Sequence, residues 1–518
     1  MTRMVSFFFL VAFLCCSAGC TKLHSSAPVI LPEHWPTEGW RTATPESQGF
    51  DSGALARALD SIQEQRLAVH SLSIIRHGRL ILDAYFYPFS NNTRHDVASV
   101  TKSITSSLVG IAIDQGQIGG VDRPVLDFFP ERTPADLDED KKAITIENLL
   151  SMSSGLNCGY APKGASARQR EAALLAMRES GDWVQFVLDI PMAAMPGTEF
   201  AYCSGNTHLL SAIISRATGS STLDFARQRL FEPLGIRDVF WPADPQGITH
   251  GWGDLQMHPR DMAKIGYLYL NKGWWDGRLI LSTEWVERST QKQIADPVSG
   301  RGYGYGWWLF PGKFSGLYEA AGRGGQFITV WPEKDLLLVI TAGGFDRDKL
   351  APLLLAALKS DELLPENPDD CKQLQERIEA VTKPPLSKPV PPLPATARSI
   401  SGKTWQMDAS SLGIKELSLS FDGNGEARFG VVLPEGRFTL PVGLDGVYRM
   451  SPSGPSGLPV ALKGFWQADN EFVLEFNEVG RINNFTIRMM FQEDTVAARI
   501  TEGTGLFDLE LNGKARVE

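Results

Sequence analysis

Past its first fourteen residues this sequence has no apolar run long enough to cross a bilayer, so the mature chain is not expected to span a membrane. It has no block of lysine and arginine, no basic–aromatic interleaving and a net charge of −10, which argues against nucleic acid as a partner. Histidines number only eight, and His250 and His258 flank residues 251–257 with no third ligand at metal spacing and no HExxH anywhere. No metal and no cofactor are therefore expected. With 43% apolar and 21% charged residues the composition is that of an ordinary globular protein, and 518 residues suffice for two or more domains.

The first residues read as an export leader. Thr2-Arg3 is a short positive start, residues 5–14 are apolar, and Ser17-Ala18-Gly19 places small residues before Cys20. A small-residue run ending in cysteine resembles a bacterial lipobox, in which Cys20 is lipidated and becomes the mature N-terminus. Ser17 stands where that pattern prefers leucine, which leaves simple secretory cleavage as the alternative. The expected division is a signal peptide over 1–19 and a spacer over 20–45. The protein is then exported, periplasmic or membrane-anchored, touching a membrane only through an N-terminal lipid.

Residues 71–76, His77-Gly78 and residues 79–86 read as a β-hairpin. Between about residues 146 and 290, helical apolar patterns alternate with Gly/Pro loops. Strand signals return at 303–310, 326–331 and 336–341. Strands at both ends with helices between predict a mixed α/β domain over 46–382, its sheet assembled from both ends. A proline-rich linker follows over 383–395. Residues 396–518 then show short alternating segments such as 417–421, 427–433, 460–466, 472–476 and 485–491, the pattern of a small antiparallel β-barrel or sandwich. With no histidine, cysteine or evident catalytic cluster, that unit is given a structural or substrate-shaping role.

The chemistry begins at Ser99-Val100-Thr101-Lys102. A serine and a lysine three residues apart share one helix face, and the apolar spacing of residues 103–113 predicts a buried helix that Ser99 opens. Unpaired N–H groups at that end favour negative charge on a nearby oxygen. Lys102 can take the serine proton if burial lowers its pKa from about 10.4. Spacing alone is not decisive, since Ser289-Thr290-Gln291-Lys292 repeats it in a polar stretch that reads as a solvated helix end. Tyr202 precedes a helical segment and is either a proton-transfer group or a packing residue. Gly322-Arg323-Gly324-Gly325-Gln326 opens a strand, either as a plain glycine turn or as an edge that admits substrate while Arg323 attracts a carboxylate.

Taken in order, several pieces resemble the serine β-lactamase-related proteins, that is, class C β-lactamases, D,D-peptidases, and the esterases and 6-aminohexanoate-dimer hydrolases of the same fold. They are Ser99-Val100-Thr101-Lys102, Met152-Ser153-Ser154-Gly155-Leu156, Tyr202-Cys203-Ser204-Gly205-Asn206, Asp261-Met262-Ala263-Lys264-Ile265-Gly266 and Gly324-Gly325-Gln326, within roughly residues 45–365. The resemblance implies a transpeptidase-like domain with an antiparallel sheet and a helical subdomain. It implies Ser99 as nucleophile, Lys102 and Tyr202 sharing proton transfer, and backbone N–H groups of Ser99 and Gln326 as the oxyanion hole. Ser204, Asn206, Arg323, Gly324 and Gly325 would line the substrate site.

Two departures narrow it. Ser204 stands where the family's second motif commonly has asparagine, and Arg323 stands where the third has lysine or histidine. The Tyr-x-Ser form resembles the esterase and amide-hydrolase branch, acting on a small ester, amide or peptide, and both departures weigh against efficient β-lactam hydrolysis. The alternatives are a D,D-peptidase or weak β-lactamase, and a cell-envelope binding protein without turnover. In the resembling fold the segments carrying Cys158 and Cys203 meet at the active-site rim. A disulfide there, in an oxidising compartment, stands against two free thiols, with Cys371 left free.

Overall fold

Six of the seven residues of strand Leu336–Ala342 are apolar because both faces of the strand are covered. Leu337 and Val339 join one core, while Leu336, Leu338, Ile340 and Ala342 join another. The strand is third in an eight-stranded antiparallel sheet. The order runs Arg79–Tyr85, Val69–Arg76, Leu336–Ala342, Gln326–Trp331, Tyr318–Gly322, Trp308–Leu309, Gly302–Tyr303 and Ile294–Ala295. The sheet is thus built from both ends of the first unit, with Ser73 opposite Val339 and Ile74 opposite Leu338. The molecule is described here by a computed structural model over residues 32–159, 167–423 and 425–516; the expected leader and Cys20 lie outside the described residues.

Helices Ser52–Glu64, Ala351–Ala357 and Pro368–Thr382 cover one face of the sheet, and Val100–Asp114 and Pro259–Leu270 cover the other. The expected hairpin turns at His77 and Gly78, whose φ values of 48° and 68° are those a two-residue turn requires. Helix Val100–Asp114 is buried from Val100 to Ala112. Several of its polar side chains are satisfied by backbone carbonyls: Ser103 donates to that of Gly306, Thr105 to that of Gly251 and Ser107 to that of Ser103. The nucleophile candidate therefore sits on a rigid, central element.

Two segments differ from expectation. Residues 303–310 form two short strands, because the chain bends at Gly304–Gly306 to bury Tyr305 and Trp307. The described part of the expected spacer, residues 32–45, is packed on the domain. Trp35 and Trp40 meet Tyr267 at 5.8 and 5.4 Å between ring centres, and the Trp275 indole donates to Thr37 Oγ1.

The C-terminal unit is a barrel. Ten strands run in the order Gly436–Gly443, Glu426–Leu433, Glu416–Phe421, Thr404–Met407, Asp508–Ala515, Thr495–Glu502, Asn484–Gln492, Glu471–Glu478, Val460–Ala468 and Arg449–Ser451. Gly443 pairs with Lys463 and joins the first strand to the ninth. Trp405, Leu419, Phe429, Phe472, Leu474, Met489 and Phe491 fill its interior. The proline-rich segment lies along this barrel, with the Lys388 N–H on the Asp445 carbonyl and Val390 and Leu393 against the core. The barrel also meets the first unit, where Phe89 packs with Ala461 and Val479 and the Tyr87 hydroxyl donates to the Tyr448 carbonyl.

Candidate active site

The short strand His95–Asp96 leads into the helix through Ala98, which holds a φ of 46°. Such a conformation costs a non-glycine residue about 1–3 kcal/mol and has to be held by its surroundings. Asp96 holds it from below by accepting the Ala98 N–H at 2.8 Å, and Thr101 Oγ1 donates to the Ala98 carbonyl at 2.6 Å. The bend lifts Ser99 to the start of the helix, at the wall of a cleft of about 700 Å³.

Lys102 Nζ donates to Ser99 Oγ at 2.8 Å and to the Trp252 carbonyl at 2.9 Å. The lysine is buried, and the loss of solvation brings its pKa down to about 8, with Glu171 and Asp254 opposing part of the fall. A substantial neutral fraction near neutral pH is thus available beside the serine hydroxyl.

Tyr202 lies over the same pair, its ring centre 4.9 Å from Lys102 Nζ. The ring stacks on Trp308 at 5.9 Å and meets Tyr303 edge-on at 6.3 Å. Burial pushes the phenol pKa well above its ordinary value, and a hydrogen bond with Ser99 opposes the rise. Tyr202 is therefore a neutral phenol in the resting site.

The loop carrying Tyr202 is tied down along its length. A disulfide joins Cys158 to Cys203 with Cα atoms 5.6 Å apart, and Cys371 is a free thiol. The Gly197 and Ala201 N–H groups donate to the Ser153 and Met152 carbonyls, and the Cys203 N–H reaches Met152 Sδ.

Arg323, Gly324 and Gly325 line the cleft with Ser99 and Tyr202. Gly324, at φ 80°, has no room for a side chain, since a Cβ would stand 2.3 Å from Ile482 Cγ2 of the barrel. Gln326 follows, opposite Gly322 in the sheet, its buried side chain bonded to the Ala342 backbone at both ends. Asn206 is fully buried in helix Ser204–Thr218, which follows Tyr202, and accepts from Ser154 Oγ at 3.0 Å, so it braces that helix from behind rather than facing the cleft. Ser204 does not line the main cleft but a small cavity beside the disulfide, which shares Tyr202 and Glu171 with that cleft.

The second Ser-x-x-Lys is not a site. Ser289 is buried at the end of helix Thr283–Ser289 and donates to the Val286 carbonyl, while Lys292 points to solvent. His250 and His258 are separately engaged, with Asp254 and Asp238. Sequence reasoning missed Trp308, the Trp252 carbonyl, Asn483 and Thr504. The last two have no local signal, because they enter the site from the other end of the chain.

The sequence matches the Beta-lactamase family over residues 55–359. The 6-aminohexanoate-dimer hydrolase of Paenarthrobacter ureafaciens is 26% identical over 321 residues, covering 59% of this chain and 81% of that protein. Esterase EstB of Burkholderia gladioli is 27% identical over 237 residues, covering 42% of this chain and 59% of the esterase, so this chain spans about three fifths of that relative. Among solved structures, EstCE1, a hydrolase with promiscuous acyltransferase activity, shares the fold at a TM-score of 0.50 and 17% identity, covering 60% of this chain and 99% of its own.

Proposed function

The chain belongs to the beta-lactamase family, and on that footing we propose that it is a serine hydrolase that forms an acyl-enzyme on Ser99 from a small ester or amide. The observation that carries the reading is the 2.8 Å contact between Ser99 Oγ and a lysine whose pKa burial has brought to about 8. Neutral Lys102 takes the Ser99 proton as Oγ attacks the carbonyl carbon. Backbone N–H groups of Ser99 and Gln326 take the developing oxyanion. The proton then passes through the Tyr202 phenol to the departing alkoxide or amine, which leaves neutral. In the second half a water gives its proton back along the same pair, hydroxide attacks the ester carbonyl, and Ser99 recovers its proton as the acid departs.

The ester and amide substrates are supported by the names of the relatives, an amide-dimer hydrolase and an esterase. An envelope location, with Cys20 as the lipidated terminus, is supported by the leader pattern and by the Cys158–Cys203 disulfide. Intact-protein mass spectrometry after exposure to a fluorophosphonate, a penicillin and an acyl ester tests the mechanism. A single adduct on Ser99, absent from Ser99→Ala, is expected with the fluorophosphonate and transiently with the ester. Labelling elsewhere, or none with any reagent, overturns it.

A further inference from the structure

The barrel reaches the catalytic edge with two loops. In the first, the Gly480 carbonyl accepts the Asp96 N–H at 2.8 Å, three residues before Ser99. Asn483 Oδ1 accepts from Arg323 Nη1 at 3.1 Å, and the Asn484 amide lies 3.2 Å from His70 Nε2. In the second, Gly503 and Thr504 line the cleft itself. Thr504 Oγ1 lies 2.6 Å from the same Arg323 nitrogen.

The Thr504 hydroxyl is oriented by Glu502. Its proton goes to Glu502 Oε1 at 2.6 Å, and the other carboxylate oxygen accepts the Thr504 N–H at 2.7 Å. With its hydrogen committed, the hydroxyl can only accept from Arg323. Both direct partners of Arg323 are neutral, and the nearest carboxylates, Glu502 behind the Thr504 hydroxyl and Asp96, act on it from behind without a direct ion pair. Arg301 also lines the cleft, but its guanidinium lies over the Trp308 and Phe310 rings at 5.8 and 4.9 Å. Arg347 is paired at two nitrogens with the buried Glu319, and Asp296 accepts from Val298 and Ser299 within its own turn. Glu171 and Asp346 add negative charge to other parts of the cleft wall.

We propose that the C-terminal barrel is a wall of the active site, in which Asn483 and Thr504 are positioning residues that hold the Arg323 guanidinium for an anionic group of the substrate. The inference rests on the serine-hydrolase reading, with Arg323 as a cation of the substrate site, and adds to it the two barrel residues that hold that cation in place. A guanidinium held at two points loses less side-chain freedom on binding a carboxylate than a loose one.

The test uses the full chain and two p-nitrophenyl esters of similar length, butyrate and the monoester of succinate. In Thr504→Val and in Asn483→Ala the ratio of kcat/KM for succinyl over butyryl ester is expected to fall about tenfold, mainly through KM. Thr504→Ser, which keeps the hydroxyl, restores the wild-type ratio. Arg323→Gln reproduces the loss by removing the charge itself, and stands in should either barrel variant fail to fold. An unchanged ratio in Thr504→Val and Asn483→Ala, or in Arg323→Gln, or an equal fall for both esters in all three variants, overturns the proposal. Calorimetric binding of succinate to Ser99→Ala, with and without Thr504→Val, reads the same effect without turnover. A weaker affinity there supports the barrel's role even if Ser99→Ala still hydrolyses ester, a result that would fall on the nucleophile assignment alone.

Discussion

Lys102 and Tyr202 face one another across 4.9 Å with their proton affinities moved in opposite directions by the same burial. Desolvation disfavours the charged form of each, so the lysine moves toward its neutral amine and the tyrosine stays a phenol. In the proposed mechanism the pair therefore divides the work, with the base at Lys102 and the acid at Tyr202.

The first consequence is a pH profile. Below pH 8 the neutral fraction of Lys102 falls about tenfold per unit, and kcat/KM for an ester is expected to fall with it, levelling off above about pH 8. Stability responds in the same direction. An unfolded lysine keeps its proton to about pH 10.4, so between about 8 and 10.4 the unfolded state binds more protons and the Lys102 contribution grows as pH rises. Thermal melts of wild type and Lys102→Met from pH 7 to 10 should show the wild type gaining on the variant across that window. A rate profile without a limb near pH 8 would assign the base to another group.

Ser99→Ala is expected to lower turnover at least about 10³-fold, leaving only binding and oxyanion contributions. Ser289→Ala is the matching control. Its hydroxyl is buried against the Val286 carbonyl, so the variant loses stability by about 1 kcal/mol but keeps its rate per folded molecule. A comparable rate loss in both would mean that the site is wrongly placed.

Tyr202→Phe should show its effect through the leaving group. Nitrophenolate departs without a proton, whereas an amine or alkoxide needs one, so the loss in kcat/KM, which reports acylation and not the later water step, is expected to be at least about 10²-fold for an amide and much smaller for a p-nitrophenyl ester. Equal losses on both substrates would remove the acid role. Tyr202 also depends on the disulfide behind it. Reducing Cys158–Cys203 opens a loop with a sequence separation of 45, worth up to about 4 kcal/mol by chain entropy. Peptide mapping under non-reducing conditions should find the cross-link, and the reduced protein should melt earlier.

Much of this was legible in the sequence where the signal is local. The His77-Gly78 hairpin, helix Val100–Asp114 and the alternating strands of the barrel each follow from spacing that one segment carries by itself. The Ser99–Lys102 pair follows from helical geometry. What escaped was non-local. The Pro/Thr/Glu texture of residues 32–45 hid two tryptophans whose partner, Tyr267, lies more than 200 residues away. Ser289 reads as solvated from its polar neighbours, yet the helix it ends turns it inward. Arg323 has its partners 160 and 181 residues downstream, at loop positions no periodicity marks. The rise in Tyr202's proton affinity is not legible in the sequence either, because it comes from depth of burial.

Truncation after Lys383 tests how far the two units are separable. The first unit keeps its own cores, including helix Pro368–Thr382 packed on Ser52–Glu64, so a cooperative unfolding transition is expected in the shortened chain. It loses the apolar contact of Phe89 with Ala461 and Val479 and the Gly480 carbonyl on the Asp96 N–H. Exposing that surface should lower Tm by several degrees. The Asp96 N–H lies next to the residues that hold Ala98 in its strained bend, so Ser99 is expected to lose its fixed position before the domain melts. Hydrogen exchange at residues 95–99 should then rise in the truncated protein while the centre of the sheet, at Ile328 and Val339, stays protected. Unchanged exchange at 95–99 would show that the barrel leaves the nucleophile's support untouched, and loss of the cooperative transition would show that it completes the core.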